Sequence, residues 1–266
     1  MDNAWAGADP RTVLHQAGLR FHYGPPDHAV RIVWHDGLGH AWVPPGTTRA
    51  LVELVRGIAP DGERWQRPFL LPVLLVLLRR AGWHHIHAAT ARDPDGRGWL
   101  IAGDAQSGKS TTAALLATRG WAVGTDDTAF LVTDAHAVAA AAWREPIALR
   151  EGGRALLARS GGLPLERRQK TGFTPEDLGG TWLERVPIDI VAVAAIHDGP
   201  TRLDPLKPSV AMAELLSWSR FFVLEPDLAQ QHLDLVARLV EQADCFRLLL
   251  GRDIFDHQDL LRELAS

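Results

Sequence analysis

A short apolar run, Gly98–Ala102, leads directly into Gly103-Asp104-Ala105-Gln106-Ser107-Gly108-Lys109-Ser110. The chain then continues from Lys109 to Arg119 without Gly or Pro before it meets Gly120. A brief apolar segment bounded by turn residues reads as a buried strand. The longer breaker-free segment reads as a helix, with Gly120 at its C-terminal stop. A strand, a tight loop and a helix in this order need a sheet with helices packed on it, so the fold class expected is α/β.

The loop matches G-x-x-x-x-G-K-[ST] at every fixed position. Such a loop turns backbone N–H groups toward one point, and side chains at Gly103 or Gly108 would obstruct it. The N-terminus of the following helix adds partial positive charge at the same point. Lys109 supplies a point charge for β- and γ-phosphates, and the Ser110 hydroxyl is a magnesium ligand. The chain is therefore expected to bind a purine nucleoside triphosphate with Mg²⁺ through Gly103, Asp104, Ala105, Gln106, Ser107, Gly108, Lys109, Ser110 and Thr111.

A second chemical signal follows. Trp121–Gly124 reads as a strand ending in Thr125-Asp126-Asp127, which is expected beside the loop's own strand, next to the phosphates. One carboxylate there can hold magnesium, and another can accept a proton from an attacking hydroxyl. His87, in the predicted strand His85–Ala91, reads either as a core histidine or as a phosphate-side group. Arg167, Arg168 and Lys170 lie between glycines, in a basic loop that is either simply solvated or able to offer charge to a transition state.

Upstream, Leu19–Tyr23, Val30–Trp34 and His40–Val43 read as strands, and a helix is expected from Thr47 or Thr48 to about Ile58. Residues 1–60 are thus expected to form a small β-hairpin and helix module, and residues 61–266 the catalytic domain, with Ala59-Pro60-Asp61-Gly62 as the boundary. A helix is expected over Glu63–Gly82. Ile190–Ile196 reads as a central strand, and Cys245–Leu250 as another. Further helices are expected near Arg154–Ser160, Ser209–Phe221, Leu228–Ala243 and Asp256–Leu264. The alanine-rich stretch Ala135–Ala142 carries no prediction.

Composition narrows the partners. With 28 basic and 32 acidic side chains the net charge is −4, which argues against a general nucleic-acid binder. The single cysteine, Cys245, rules out a disulfide framework or a cysteine zinc cluster and reads as a buried small hydrophobe. Met1–Asp9 lack a basic segment followed by an apolar run, and Phe69–Leu78 is far short of the roughly 20 residues that span a bilayer. A cytoplasmic protein with no membrane partner is expected.

Taken together, His87-Ala88-Ala89, Gly103–Ser110, Arg119-Gly120 and Asp126-Asp127 resemble the catalytic domain of HPr serine kinase/phosphorylase. They resemble still more its short relatives in lasso-peptide-type biosynthetic clusters. Val186-Pro187-Ile188 and Leu206–Leu216 resemble the second half of that domain, so the likeness runs from about Trp83 onward. The resemblance implies a P-loop kinase fold of the HPr kinase and phosphoenolpyruvate carboxykinase type, and an ATP-dependent serine kinase. It implies Asp126 as general base, Asp127 assisting the base or the metal, and His87 near the phosphates. It further implies Glu145 as a second metal-side acid and Arg168 or Lys170 as a basic group acting on the transferred phosphate. Ile147–Gly153 lacks the glycine-rich signature tied to phosphorolysis, so the acceptor expected is a serine of a peptide or small protein rather than HPr. A kinase for a small alcohol, an ATP-sensing regulatory protein and a water-directed ATPase stand as alternatives. The sequence leaves a homo-oligomer open.

Overall fold

The computed structural model describes residues 12–16, 18–23, 28–55, 65–135, 137–159, 172–219, 223–257 and 259–265. The chain forms two compact units, one of residues 1–84 and 221–232, the other of residues 85–220 and 233–266. The turn proposed as a boundary, residues 59–62, lies outside the described residues.

The first unit carries an antiparallel sheet in chain order: β1 (Thr12–Gln16), β2 (Leu19–His22), β3 (Val30–Trp34), β4 (Gly39–Val43) and β5 (Leu51–Leu54). Phe21, Ile32, Ala41 and Val43 are buried in it. Helix α1 (Leu71–Arg80) follows a π turn at Gln66–Leu70, and Phe69 stacks on Trp34 with ring centroids 5.7 Å apart. The Arg80 guanidinium pairs with Glu225 at 2.7 Å and donates to the carbonyls of Pro44 and Thr47. One cation thereby joins three segments distant in sequence.

Among the described residues of the range, 47–55, the helix expected from Thr47 is absent, and Leu51–Leu54 is instead strand β5, paired antiparallel with β4. The Thr47 hydroxyl donates back to Pro44 O at 3.2 Å, so it closes a turn rather than capping a helix. The open edge of β4 then outweighs local helix propensity.

The second unit is built on a mixed sheet. Its strands are β6 (His84–Arg92), β7 (Gly98–Ala102), β8 (Ala122–Thr125), β9 (Thr128–Asp134), β10 (Ala137–Ala142), the short β11 (Ile147–Ala148), β12 (Gly172–Phe173) and β13 (Thr181–Trp182), then β14 (Arg185–Pro187), β15 (Ile190–Ile196), β16 (Arg202–Pro205) and β17 (Asp244–Leu250). The main order is β14-β10-β9-β6-β7-β15-β17-β16, with β8 joined to β6 and β13, while β11 and β12 form a separate pair. Strands β7, β15 and β17 run parallel, whereas β6 runs antiparallel to β7 and β8, and β16 antiparallel to β17. Helices α2 (Lys109–Thr118), α3 (Glu151–Arg159), α4 (Pro208–Ser217), α5 (Pro226–Gln242) and α6 (Leu260–Leu264) complete the chain.

The pleat explains the layers. Trp99 and Ile101 of β7 enter a core with Ala113–Ala117 of α2, while Leu100 and Ala102 enter another with Leu215 of α4 and Leu235–Val240 of α5. Because β7 and β15 are covered on both faces, their sequences are unbroken apolar runs. The alanine-rich stretch dismissed on sequence is β10, held between β9 and β14. Pairing on both edges outweighs alanine's weak strand preference. Cys245 is buried, and burial, with a smaller effect from Asp244, pushes its thiol up to about 11. Among the described residues no helix is long and apolar enough to cross a membrane.

Candidate functional site

The β6–β7 turn sets the direction of the loop's strand. The Asp93 carboxylate accepts from Arg97 N at 2.9 Å, Arg97 Nε at 3.0 Å and Trp99 Nε1 at 3.2 Å. At the other end of β7 the chain enters the Gly103–Ser110 loop with Gly103 at φ 155°, Gln106 at φ 69° and Gly108 at φ 98°. A Cβ on Gly103 would stand 2.6 Å from Ala194 O, and one on Gly108 would stand 2.8 Å from Leu250 Cδ1. Left-handed geometry therefore requires glycine at 108, while at 103 the nearby Ala194 carbonyl also leaves no room for a side chain.

Gly108 precedes α2, so the unpaired N–H groups of that helix's first turn open on the loop. The Lys109 ammonium donates to Gly103 O at 2.7 Å and Asp104 O at 2.9 Å. Burial lowers its pKa, and Asp127, Asp104 and Asp126 oppose that shift. The Ser107 hydroxyl is buried and has no hydrogen-bond partner among the described residues. Thr111 follows Ser110 in α2, and a Cβ on Gly153 of α3 would reach its Oγ1 at 2.5 Å, so α3 packs closely there.

The acid pair reaches the loop by a different route from the one expected. Strand β8 does not lie beside β7, because β6 separates them, and both β8 and β9 pair with β6. The chain turns at Asp126–Asp127 between β8 and β9. Buried Thr125 shapes that turn, its Oγ1 accepting from Asp127 N at 3.2 Å and Thr128 N at 3.1 Å.

The two carboxylates have opposite surroundings. Asp126 is 4% exposed and hydrogen-bonded to Ser110. Burial raises its pKa to about 6 against that hydrogen bond, with further upward pressure from Asp127 and Glu145. The Asp127 side chain is 45% exposed, and its Oδ1 lies 3.0 Å from His87 Nδ1. The same nitrogen is 3.1 Å from Asp127 O. The Thr128 hydroxyl lies 3.3 Å from Glu145 Oε1 and 3.4 Å from Asp127 Oδ2. His87, Asp127 and Glu145 are thus joined through Thr128, and the charges of Lys109 and Asp126, the latter beside Ser110, interact with that group. Arg167, Arg168 and Lys170 lie outside the described residues.

No protein-family model and no curated protein matches the chain. Among solved structures, the Hpr(Ser) kinase/phosphatase from Coxiella burnetii aligns over 67% of this chain and 94% of its own, at 12% identity and a TM-score of 0.36. A likeness at that level assigns neither family nor activity. The functional reading therefore rests on the residues.

Trp218 is a site residue that sequence reasoning passed over. Its indole N–H donates to Asp104 Oδ1 at 2.9 Å, and its carbonyl accepts from His87 N at 3.0 Å. It joins the loop to the histidine strand. Lying at the end of an apolar helix, it carries no local mark that separates it from core.

The donor set also bears on a metal. Among the described residues no three His, Cys, Asp or Glu side chains are grouped to hold an ion by themselves. Mg²⁺ does not ask for such a cage, since it takes one or two carboxylates and completes its octahedron with phosphate oxygens and water. A serine hydroxyl hydrogen-bonded to a buried, partner-poor carboxylate is hard-oxygen chemistry of that kind, and it fits.

Proposed function

We propose that the protein is an ATP- and Mg²⁺-dependent phosphotransferase that transfers the γ-phosphoryl group to a serine hydroxyl of a peptide or small protein. The observation that carries this reading is the position of the His87–Asp127 pair and the Ser110–Asp126 pair on one side of the Gly103–Ser110 loop. A loop that only sensed nucleotide would have no use for a half-exposed, histidine-oriented carboxylate there.

Lys109 and the N-terminus of α2 offset the negative charge of the β- and γ-phosphates. Ser110 and Asp126 would hold magnesium, with Glu145 behind them, and the ion would neutralise phosphate charge. Reach decides between the two aspartates before pKa does. Asp126 is enclosed, so the accessible Asp127 takes the proton of the incoming seryl hydroxyl, reversing the roles that the family resemblance implies. His87 holds the Asp127 carboxylate in position. The seryl oxygen bonds to the γ-phosphorus as the bond to the β-phosphate oxygen breaks, and ADP leaves. Catalysis is then mainly positioning and charge neutralisation.

The test is intact-mass spectrometry of peptides encoded beside this gene after incubation with the protein, ATP and Mg²⁺, with HPr in parallel. The expected result is a gain of one phosphate on a peptide serine, located by fragmentation. ATP hydrolysis with no modified peptide or protein would overturn serine transfer in favour of a water-directed ATPase.

A further inference from the structure

The flank of the loop opposite the acids has its own construction. Ile196, at the carboxyl end of β15, is 67% exposed, the most exposed large apolar side chain among the described residues. It stands against the loop, since a Cβ on Gly108 would lie 3.6 Å from its Cγ1. The chain beyond it is tightly fixed. His197 Nδ1 accepts from Gly199 N at 3.2 Å, which leaves Nε2 to donate to Pro200 O at 2.7 Å. Thr201 N donates to Asp253 Oδ1 at 2.8 Å, the Thr201 hydroxyl donates to the same oxygen at 2.7 Å, and Gly251 N donates to that hydroxyl at 3.0 Å. A Cβ on Gly251 would stand 2.1 Å from Gly199 O, so the two turns interlock through their backbones.

Ile196 thus joins an exposed aliphatic face to direct contact with the loop, at the entry to a hydrogen-bonded turn. Ligands of open α/β sheets lie at the carboxyl ends of the parallel strands, and here those are β7, β15 and β17. The acidic flank must receive the γ-phosphate end. The apolar remainder of the nucleotide therefore leaves toward β15.

We propose that Ile196 and the His197–Thr201 turn form the seat of the purine ring, with Ile196 under its face. This inference rests on the nucleotide reading above and adds the specificity element to it. Both ring nitrogens of His197 are engaged within the turn, so the seat supplies a surface and a fixed shape rather than an imidazole hydrogen bond to the base.

The test is calorimetric titration of the full chain, in Mg²⁺, with ATP and separately with inorganic tripolyphosphate. In Ile196→Gln the affinity for ATP is expected to fall about tenfold, the loss that follows from removing one well-covered aliphatic contact, while tripolyphosphate binds unchanged. Ile196→Ala should lie between this variant and the unsubstituted protein. Because Ile196 is exposed, unfolding temperatures should match. Unchanged ATP affinity in Ile196→Gln, or an equal loss for both ligands, would overturn the seat. If the unsubstituted chain binds tripolyphosphate but gains nothing from the nucleoside, the seat alone falls. If it binds neither ligand, the nucleotide reading falls and the seat with it.

Discussion

The two flanks of the Gly103–Ser110 loop are made by opposite means. On one side, antiparallel β6 brings His87 beside the Asp126–Asp127 turn, and the hydroxyls of Thr125 and Thr128 shape a polar, charge-rich surface. On the other, parallel β15 and β17 end in Ile196 and Leu250, and close approaches at glycine lock the turns that follow. The difference teaches that topology alone can give one loop a charged flank and an apolar one. On the proposed reading, the accessible carboxylate of the charged side takes a proton, while the apolar side offers the aliphatic surface of Ile196. If the flanks divide labour in this way, substitutions on one should change turnover and substitutions on the other should change affinity.

The largest effect belongs to the element both flanks share. Lys109→Ala removes the charge proposed to face the β- and γ-phosphates, and turnover is expected to fall on the order of 10³-fold, with ATP affinity falling as well. Steady-state kinetics and calorimetry together check it, and near-normal turnover would remove the loop from the reaction. Next comes Asp127→Asn, which should lower turnover on the order of 10²-fold while ATP affinity stays within a few-fold. If Asp126→Asn abolished transfer under saturating Mg²⁺ while Asp127→Asn did not, the roles of the two aspartates would have to be exchanged.

Asp126 also makes a prediction about stability. Its folded-state pKa of about 6 stands above the ordinary 3.8, mainly through burial, so ionising it disfavours the folded chain. Its contribution is fully present below about pH 4 and is lost as pH rises through about 6. In the metal-free protein, Asp126→Asn should therefore raise unfolding stability by roughly 3 kcal/mol at pH 8 and by about half that at pH 5. Urea unfolding at both values measures the difference. An equal gain at the two pH values would mean that the carboxylate is not strained by burial.

Much of this was legible in sequence because local rules were allowed to act. Gly98–Ala102 and Ile190–Ile196 are strands over the ranges expected, since strands covered on both faces must be apolar throughout. The Gly103–Ser110 loop declared itself through glycines that its backbone requires. What escaped depended on pairing across long sequence distances. Leu51–Leu54 became a strand because β4 offers an open edge, and Ala137–Ala142 because β9 and β14 lie on either side. The insertion of β6 between β7 and β8 is likewise a property of topology that no local spacing records. Ile196 could be read as the end of a strand, but its exposure beside Gly108 could not.

Trp218 offers the finest test, because it touches the loop and the acid flank with different atoms. Its side chain holds Asp104 of the loop through the indole N–H, whereas its backbone carbonyl accepts from His87 N. Trp218→Phe removes the first contact and keeps the second, while leaving an aromatic ring in place. One hydrogen bond of this kind contributes about 1 kcal/mol, so ATP affinity should weaken about fivefold. Turnover at saturating ATP should stay unchanged, because the strand that presents His87 keeps its anchor. A split between KM and kcat in that direction would show that the loop and the acid pair are held independently. A fall in kcat at constant KM would show instead that the indole sets the geometry of the His87–Asp127 pair, and the loop and the acid flank would then be one mechanical unit.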